Sequence, residues 1–172
     1  PEQPDPALVP SLLAASDVLG TGWFAADAAQ VGPGKTVAVV GDGAVGLCAV
    51  LAAAQLGAST VIAMSRHEER QKVALAFGAS HIVAERGDAG STAVRELTEG
   101  IGADCVLECV GTESARAQAI GCVRDGGNLG SFGPGQMVRE FDQVVFSAPV
   151  GVVQGPVKTQ FGYHLVEVTS RQ

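Results

Sequence analysis

The chain has 172 residues, enough for one domain whose core needs neither disulfides nor a structural metal. Apolar residues make up 47% and charged residues 17%, which excludes a disordered chain. The formal charge of −7 excludes nucleic acid as a partner, because that binding depends on Lys and Arg displacing counterions.

The opening Pro-Glu-Gln-Pro-Asp-Pro has no basic region and no apolar signal core, so no targeting signal is expected and a cytoplasmic location is. The lack of an initiator Met reads as an excised or processed piece. Helical periodicity runs from Ala7 to Gln30 with expected breaks at Gly20 and Gly22, and Val31-Gly32-Pro33-Gly34 is turn chemistry. The next run, Thr36 to Ala58, is apolar enough to suggest a membrane span, but Asp42 and Gln55 interrupt it. It reads instead as strand, glycine loop and helix, and no membrane partner is expected.

From there strands and helices alternate: strand Thr36–Val40, helix Ala44–Leu56, strand Thr60–Met64, helix His67–Phe77, strand His81–Val83, helix Ser91–Thr98, strand Asp104–Glu108, helix Glu113–Cys122 and strand Asn128–Phe132. This order predicts an α/β fold, a doubly wound parallel Rossmann sheet of five strands in the order 3-2-1-4-5. The strands are short and nearly all apolar, as required where helices cover both faces. Cys48, Cys105, Cys109 and Cys122 show no C-x-x-C pairing and fall in such segments, so they read as small core residues.

Beyond Gly133-Pro134-Gly135 the alternation stops. Met137, Phe141, Val144 and Val145 lie at helical spacing in Gln136–Phe146, and two extended segments flank Gly162. His164, Val166 and Val168 share one strand face, and Tyr163, Leu165 and Glu167 the other. The expectation is a C-terminal helix and an antiparallel hairpin that extend the sheet beyond Asn128–Phe132, all within a single domain.

Gly41-x-Gly43-x-x-Gly46 follows a strand, opens a helix and precedes a second strand, the context that turns a weak glycine pattern into a dinucleotide fingerprint. The glycines serve a tight turn, a close backbone approach to pyrophosphate and close helix–sheet packing, with Ala44 and Val45 at the helix N-terminus facing the anion. Where an NAD site carries Asp or Glu at the end of the second strand, this chain has Met64-Ser65-Arg66-His67. That favours NADP, with NAD as the alternative: Arg66 pairs with the ribose 2′-phosphate while Ser65 donates a hydrogen bond. A solvated arginine before a helix is the competing reading of Arg66. Val110 and Gly111, after the fourth strand, either line the same pocket or simply pack the strand end.

Residues from about 1 to 127 resemble the cofactor domain of zinc-dependent medium-chain alcohol dehydrogenases, through Ala14, Ser16-Asp17-Val18, Thr21-Gly22, Val39-Val40-Gly41-Asp42-Gly43-Ala44-Val45-Gly46 and Glu108-Cys109-Val110-Gly111. The resemblance implies an oxidoreductase in which zinc polarises an alcohol oxygen while hydride passes to the nicotinamide, and Asp17 matches a zinc-ligand position. No His or Cys lies near Asp17 in sequence to complete a ligand set, and the other ligands belong to an N-terminal domain with no counterpart in this sequence. No zinc is therefore expected, and Asp17 reads as a residue at a helix start.

Residues from about 126 to 172 resemble a different family, the second half of parvulin prolyl isomerases, through Gly126-Gly127-Asn128-Leu129-Gly130-Ser131-Phe132, Gly135-Gln136-Met137-Val138, Phe141-Asp142, Val145-Phe146-Ser147 and Gly155-Pro156-Val157-Lys158-Thr159-Gln160-Phe161-Gly162-Tyr163-His164. Parvulins lower the barrier to rotation of X–Pro bonds, about 18–20 kcal/mol uncatalysed. The resemblance matches Leu129, Met137 and Phe141 to the proline pocket and His164 to one catalytic histidine. The family's other histidine and its Cys or Asp have no counterpart, and Met137 and Phe141, four apart, also read as an ordinary core stripe.

The two patterns meet near Asp125-Gly126-Gly127, which reads as a chimera fused at a shared turn and strand. The function expected is a dinucleotide-binding chimera with no efficient catalysis. A residual alcohol dehydrogenase or prolyl isomerase is the alternative, so enzyme activity stays open. Former interfaces left exposed make homo-oligomerisation a further expectation.

Overall fold

The structure is a computed structural model that describes residues 3–130, 134–135, 137–159 and 162–171. A 3-10 turn, Pro6–Leu8, leads into α1 (Val9–Ser16) and α2 (Val18–Ala28). The helical stretch breaks at Asp17, whose backbone leaves the helical region, and not at Gly20 or Gly22 as expected. Both glycines stay inside α2, and Gly22 lets that helix press on the next: a Cβ there would stand 2.6 Å from the Ala49 nitrogen. Pro6–Ala28 is long and apolar enough to cross a membrane by length and composition alone, with mean hydropathy 1.3.

The parallel sheet follows: β1 (Thr36–Val40), α3 (Ala44–Gln55), β2 (Thr60–Met64), α4 (Glu68–Ala76), β3 (His81–Val83), α5 (Gly87–Leu97), β4 (Ala103–Glu108), α6 (Glu113–Cys122) and β5 (Val123–Asn128). Its order is β3-β2-β1-β4-β5, as expected. Alternation along each strand divides the core. Val37, Val39, Val61 and Ala63 face α2, α3 and α4, while Ala38, Val40, Ile62 and Met64 face α5 and α6. The two faces bury chiefly Val, Ile and Ala, which lets the helices lie close to the sheet. Cys105 and Cys122 are buried in these clusters, and Cys48 and Cys109 are half-buried.

Within the parallel sheet two elements differ from expectation by more than one residue at a boundary. Helix α5 starts at Gly87, earlier than the expected Ser91. The reason lies at Gly90, where a Cβ would stand 2.7 Å from the Glu85 carbonyl oxygen, so glycine is what allows the helix to begin there. The fifth strand covers Val123–Asn128, not Asn128–Phe132. It pairs with β4 at Ala103↔Val123 and Cys105↔Asn128, so the chain bulges over Asp125-Gly126, and Ser131 and Phe132 lie outside the described residues. Arg95 fastens the junction of α6 and β5 by donating to the carbonyls of Gly121 and Val123 at 3.0 and 3.2 Å.

Beyond the sheet come α7 (Arg139–Val145), β6 (Val153–Thr159) and β7 (Gly162–Glu167), the last two an antiparallel hairpin. Helix α7 is shorter than the expected Gln136–Phe146, and Gln136 lies outside the described residues. Among the described residues the hairpin is a sheet of its own rather than a continuation of the parallel one. The C-terminal segment is joined to the rest through a third cluster, in which Ile120 of α6 packs with Val138, Phe141, Val145 and Val157. Leu129 packs against both this cluster and the α5–α6 face of the sheet.

Candidate functional site

Strand ends β1, β2, β3 and β4 meet at the carboxyl edge of the sheet, where open α/β sheets bind ligands. The glycine loop sits there and each glycine has a separate geometry. Gly41 adopts φ +115°, and a Cβ on it would lie 2.7 Å from Cγ2 of Val110. A Cβ on Gly46 would lie 2.2 Å from the Gly41 carbonyl oxygen, so this glycine lets α3 close onto the loop. Gly43 is the N-cap of α3 and has open space where a Cβ would stand. No side chain caps α3, which leaves the first N–H groups of the helix, Ala44 and Val45 among them, to an anion or water.

The loop is tied to the end of β2 by Asp42, the residue between the first two glycines. Ser65 Oγ donates to Asp42 Oδ2 at 2.9 Å, and Arg70 Nη1 donates to Oδ1 at 3.0 Å. Asp42 and Ser65 are buried, and the Arg70 side chain is half-exposed. Burial alone would raise the Asp42 carboxyl, but the bonds from Ser65 and Arg70, with the charges of Arg70 and His67, together hold it below the usual carboxylate range. Ser65 therefore differs from its expected role: its hydroxyl hydrogen is given to Asp42, not held free for a ribose phosphate. The sequence reading missed Asp42, and the available signal was an acid in the loop with a hydroxyl one residue past the second strand.

Arg66 and Arg86 line one cleft with Gly41, Ser65 and Val110. Both arginines are exposed, and neither guanidinium forms a hydrogen bond or ion pair among the described residues. On the other side of the loop, Glu108 Oε1 accepts the N–H groups of Val110 and Gly111 at 2.7 and 3.0 Å. That bond fixes the turn after β4 and sets Val110 against Gly41. Gly111 commits its N–H to the same carboxylate, so it shapes the turn.

The remaining expected residues fall elsewhere. Asp17 is the N-cap of α2 without a side-chain capping bond, and its carbonyl accepts from Thr21. Met137 and Leu129 pack against the cluster that buries Phe141. His164 meets the Phe141 ring edge-on, with centroids 5.3 Å apart, and shares a 2.8 Å hydrogen bond with Thr159 Oγ1. Burial lowers the His164 pKa. Leu129, Met137, Phe141 and His164 thus gather around the third cluster, on elements other than those that carry the glycine loop.

A family model described as zinc-binding dehydrogenase matches residues 44–153, which is more than half of the chain. The chain belongs to the zinc-binding dehydrogenase family. A probable zinc-binding alcohol dehydrogenase of Mycobacterium tuberculosis is 40% identical over 118 residues, 69% of this chain and 30% of that protein. The solved alcohol dehydrogenase of Thermus sp. ATN1 superposes with a TM-score of 0.60 at 40% identity, covering 66% of this chain and 33% of that one. An alcohol dehydrogenase from Thermotoga maritima gives a TM-score of 0.62 at 32% identity, covering 67% and 33%. The chain thus spans about a third of the length of these dehydrogenases. A second similarity is to the foldase protein PrsA of Geobacillus kaustophilus, 46% identical over 56 residues, 33% of this chain and 20% of that protein.

Zinc-binding dehydrogenases bind a nicotinamide dinucleotide through this Rossmann domain, and the open space at Gly43 with the uncapped α3 N-terminus fits its pyrophosphate. The residues described for this family member do not fit zinc: no three His, Cys, Asp or Glu side chains among them gather to hold a metal ion, and Asp17 stands apart from any such group.

Proposed function

We propose that this member of the zinc-binding dehydrogenase family binds NADP(H) in preference to NAD(H) and does not by itself turn over an alcohol. The observation that carries the reading is the pair of arginines, Arg66 and Arg86, whose side chains have no partner among the described residues, in the cleft beside the glycine loop. Ala44 and Val45 at the α3 N-terminus hold the pyrophosphate, Gly43 gives it room, and Arg66 meets the 2′-phosphate. Val110 lies against the face of the loop on which the remainder of the cofactor extends. When bound, the nicotinamide supplies a hydride donor or acceptor. Ser65 serves this site by positioning, through its bond to Asp42.

We further read the chain as a single domain in which a dehydrogenase-type Rossmann unit continues into a segment of different ancestry, its parent proteins cytoplasmic. The supporting observations are the similarity to PrsA over 56 residues and the change from parallel alternation to an antiparallel hairpin. The dehydrogenase family match runs to residue 153, past the expected junction near residue 126, so the boundary is not a clean break in similarity. Prolyl isomerisation is the weaker reading of this segment, because Phe141 is buried against Ile120 and Val157 where a proline would have to enter.

Calorimetric titration with NADPH and NADH tests the cofactor reading. Saturable NADPH binding, weakened ten- to a hundredfold by Arg66→Ala in line with the roughly 1.5–3 kcal/mol of a charge-assisted bond, supports it. Binding of neither dinucleotide overturns it. Alcohol-dependent formation of NADPH, or faster cis–trans exchange in a proline peptide, overturns the claim that there is no turnover.

A further inference from the structure

We propose that Arg86 is a second specificity-determining residue for the 2′-phosphate, reaching it from the turn after β3 while Arg66 reaches it from the turn after β2. This inference rests on the reading that NADP(H) binds at the glycine loop. Strand pairing places the two turns side by side. Met64 is in register with Val83, and the Ser65 N–H donates to the Val83 carbonyl at 2.9 Å, so the chains leave the sheet together. The next residues, Arg66 on one strand end and Ala84-Glu85-Arg86 on the other, line the same cleft.

Three features mark Arg86 as a ligand contact rather than a structural arginine. Its side chain is exposed and makes no hydrogen bond or ion pair among the described residues, unlike Arg70, Arg95, Arg116, Arg124 and Arg171, each of which donates to a named acceptor. It is the N-cap of α5 and makes no capping bond itself, the Gly87 N–H going instead to Gln118 Oε1 at 3.3 Å, so its guanidinium stands unengaged at the positive end of that helix. Ser65 cannot contribute its hydroxyl hydrogen there, since Asp42 holds it. A dianionic phosphate in this cleft needs a second donor set, and Arg86 supplies one.

Glu85 also lines the cleft and opposes the arginines. It sets a built-in limit on the affinity and gives the proposal a test of opposite sign.

The experiment uses the full chain, titrated with NADPH, NADH, 2′,5′-ADP and 5′-ADP at low and moderate salt. Arg86→Ala is expected to weaken NADPH and 2′,5′-ADP about tenfold, the lower end for charge-assisted bonds because the side chain is exposed, while NADH and 5′-ADP stay within about twofold. Arg86→Lys should recover part of the loss, and Glu85→Gln should tighten NADPH a few-fold. Melting temperatures should not move, because neither side chain has a structural partner. An NADPH-to-NADH preference unchanged by Arg86→Ala but lowered by Arg66→Ala overturns this inference and leaves the cofactor reading standing. Binding of neither dinucleotide to the unaltered chain overturns both.

Discussion

The Ser65 hydroxyl donates to the Asp42 carboxylate across 2.9 Å, joining the glycine loop after β1 to the end of β2. The two residues are 23 positions apart, and each is buried. Arg70 completes the arrangement from α4, so one carboxylate holds a loop, a strand end and a helix in fixed relation. The positions of Gly43 and Arg66 relative to each other follow from that bond.

Asp42→Ala should therefore lower stability as well as cofactor affinity. It leaves the buried Ser65 hydroxyl without its acceptor, a loss of about 1–3 kcal/mol. For a domain of this size that corresponds to a fall in melting temperature of roughly 2–4 °C per kcal/mol. Asp42→Asn keeps an acceptor for Ser65 and gives up only the ion pair with half-exposed Arg70, about 1 kcal/mol or less. Thermal melts of the two variants should rank in that order, and equal melts would show that the Ser65–Asp42 bond adds nothing to stability.

The glycines separate folding from binding. Gly46→Ala forces a methyl group against the Gly41 carbonyl at 2.2 Å, so α3 must shift and both stability and cofactor binding should fall. Gly43→Ala meets nothing in the unliganded protein, and its φ of −72° suits alanine. Its melting temperature should match that of the unaltered chain, while calorimetry should show NADPH binding weakened at least tenfold by the methyl group in the pyrophosphate space. A Gly43→Ala protein that binds normally would move the pyrophosphate away from this helix terminus.

Much of this arrangement was legible in the sequence because periodicity and glycine chemistry are local signals. Val37 to Val40 and Val61 to Met64 identify doubly buried strands, and their order with the intervening helices leaves few topologies. Arg66 was visible as a departure from the acidic residue usual at that strand end. The misplaced features depend on contacts across the chain. The fifth strand, Val123–Asn128, carries Arg-Asp-Gly-Gly, which has no apolar run, and it is held by Arg95 from another helix. Asp42 reads as a variable loop position until Ser65 is seen beneath it. Arg86 joins the site only through the β2–β3 pairing, a relation no local pattern encodes.

Acid should destabilise the fold in two steps. The Asp42 and Asp104 carboxyls are both held below their usual value of 3.8: burial opposes this in each case, and the bonds from Ser65 and Arg70, or from the Thr36 N–H and Arg124, outweigh it. The unfolded chain thus takes up these protons first, so their contribution is complete above the usual carboxylate range and is lost as pH falls through the lower folded values. His164, lowered from 6.5 by burial, also favours the folded state when neutral and loses its contribution as pH drops below 6.5. Melting temperatures measured from pH 8 to pH 3 should show a shallow decline starting near pH 6.5 that His164→Gln removes, and a steeper one below about pH 4 that Asp104→Asn flattens.

Phe141 decides whether the C-terminal segment and the parallel sheet unfold together. It is 4% exposed on α7, packed against Ile120 of α6 and Val157 of β6, with Arg171 closing the segment through bonds to the Val145 and Ala148 carbonyls. Truncation to alanine removes about 3–5 kcal/mol of packing. Leu129 and Ile120 are shared with the parallel-sheet part of the molecule, so the loss should lower one cooperative transition rather than create a second. Hydrogen exchange should then show protection falling in β1 and β4 along with β6 and β7. Ending the chain after residue 130 removes the whole cover over Ile120 and should produce self-association, detectable by sedimentation. A Phe141→Ala protein that loses protection only in β6 and β7, with the main transition unmoved, would make the hairpin segment an independent unit resting on the Rossmann sheet.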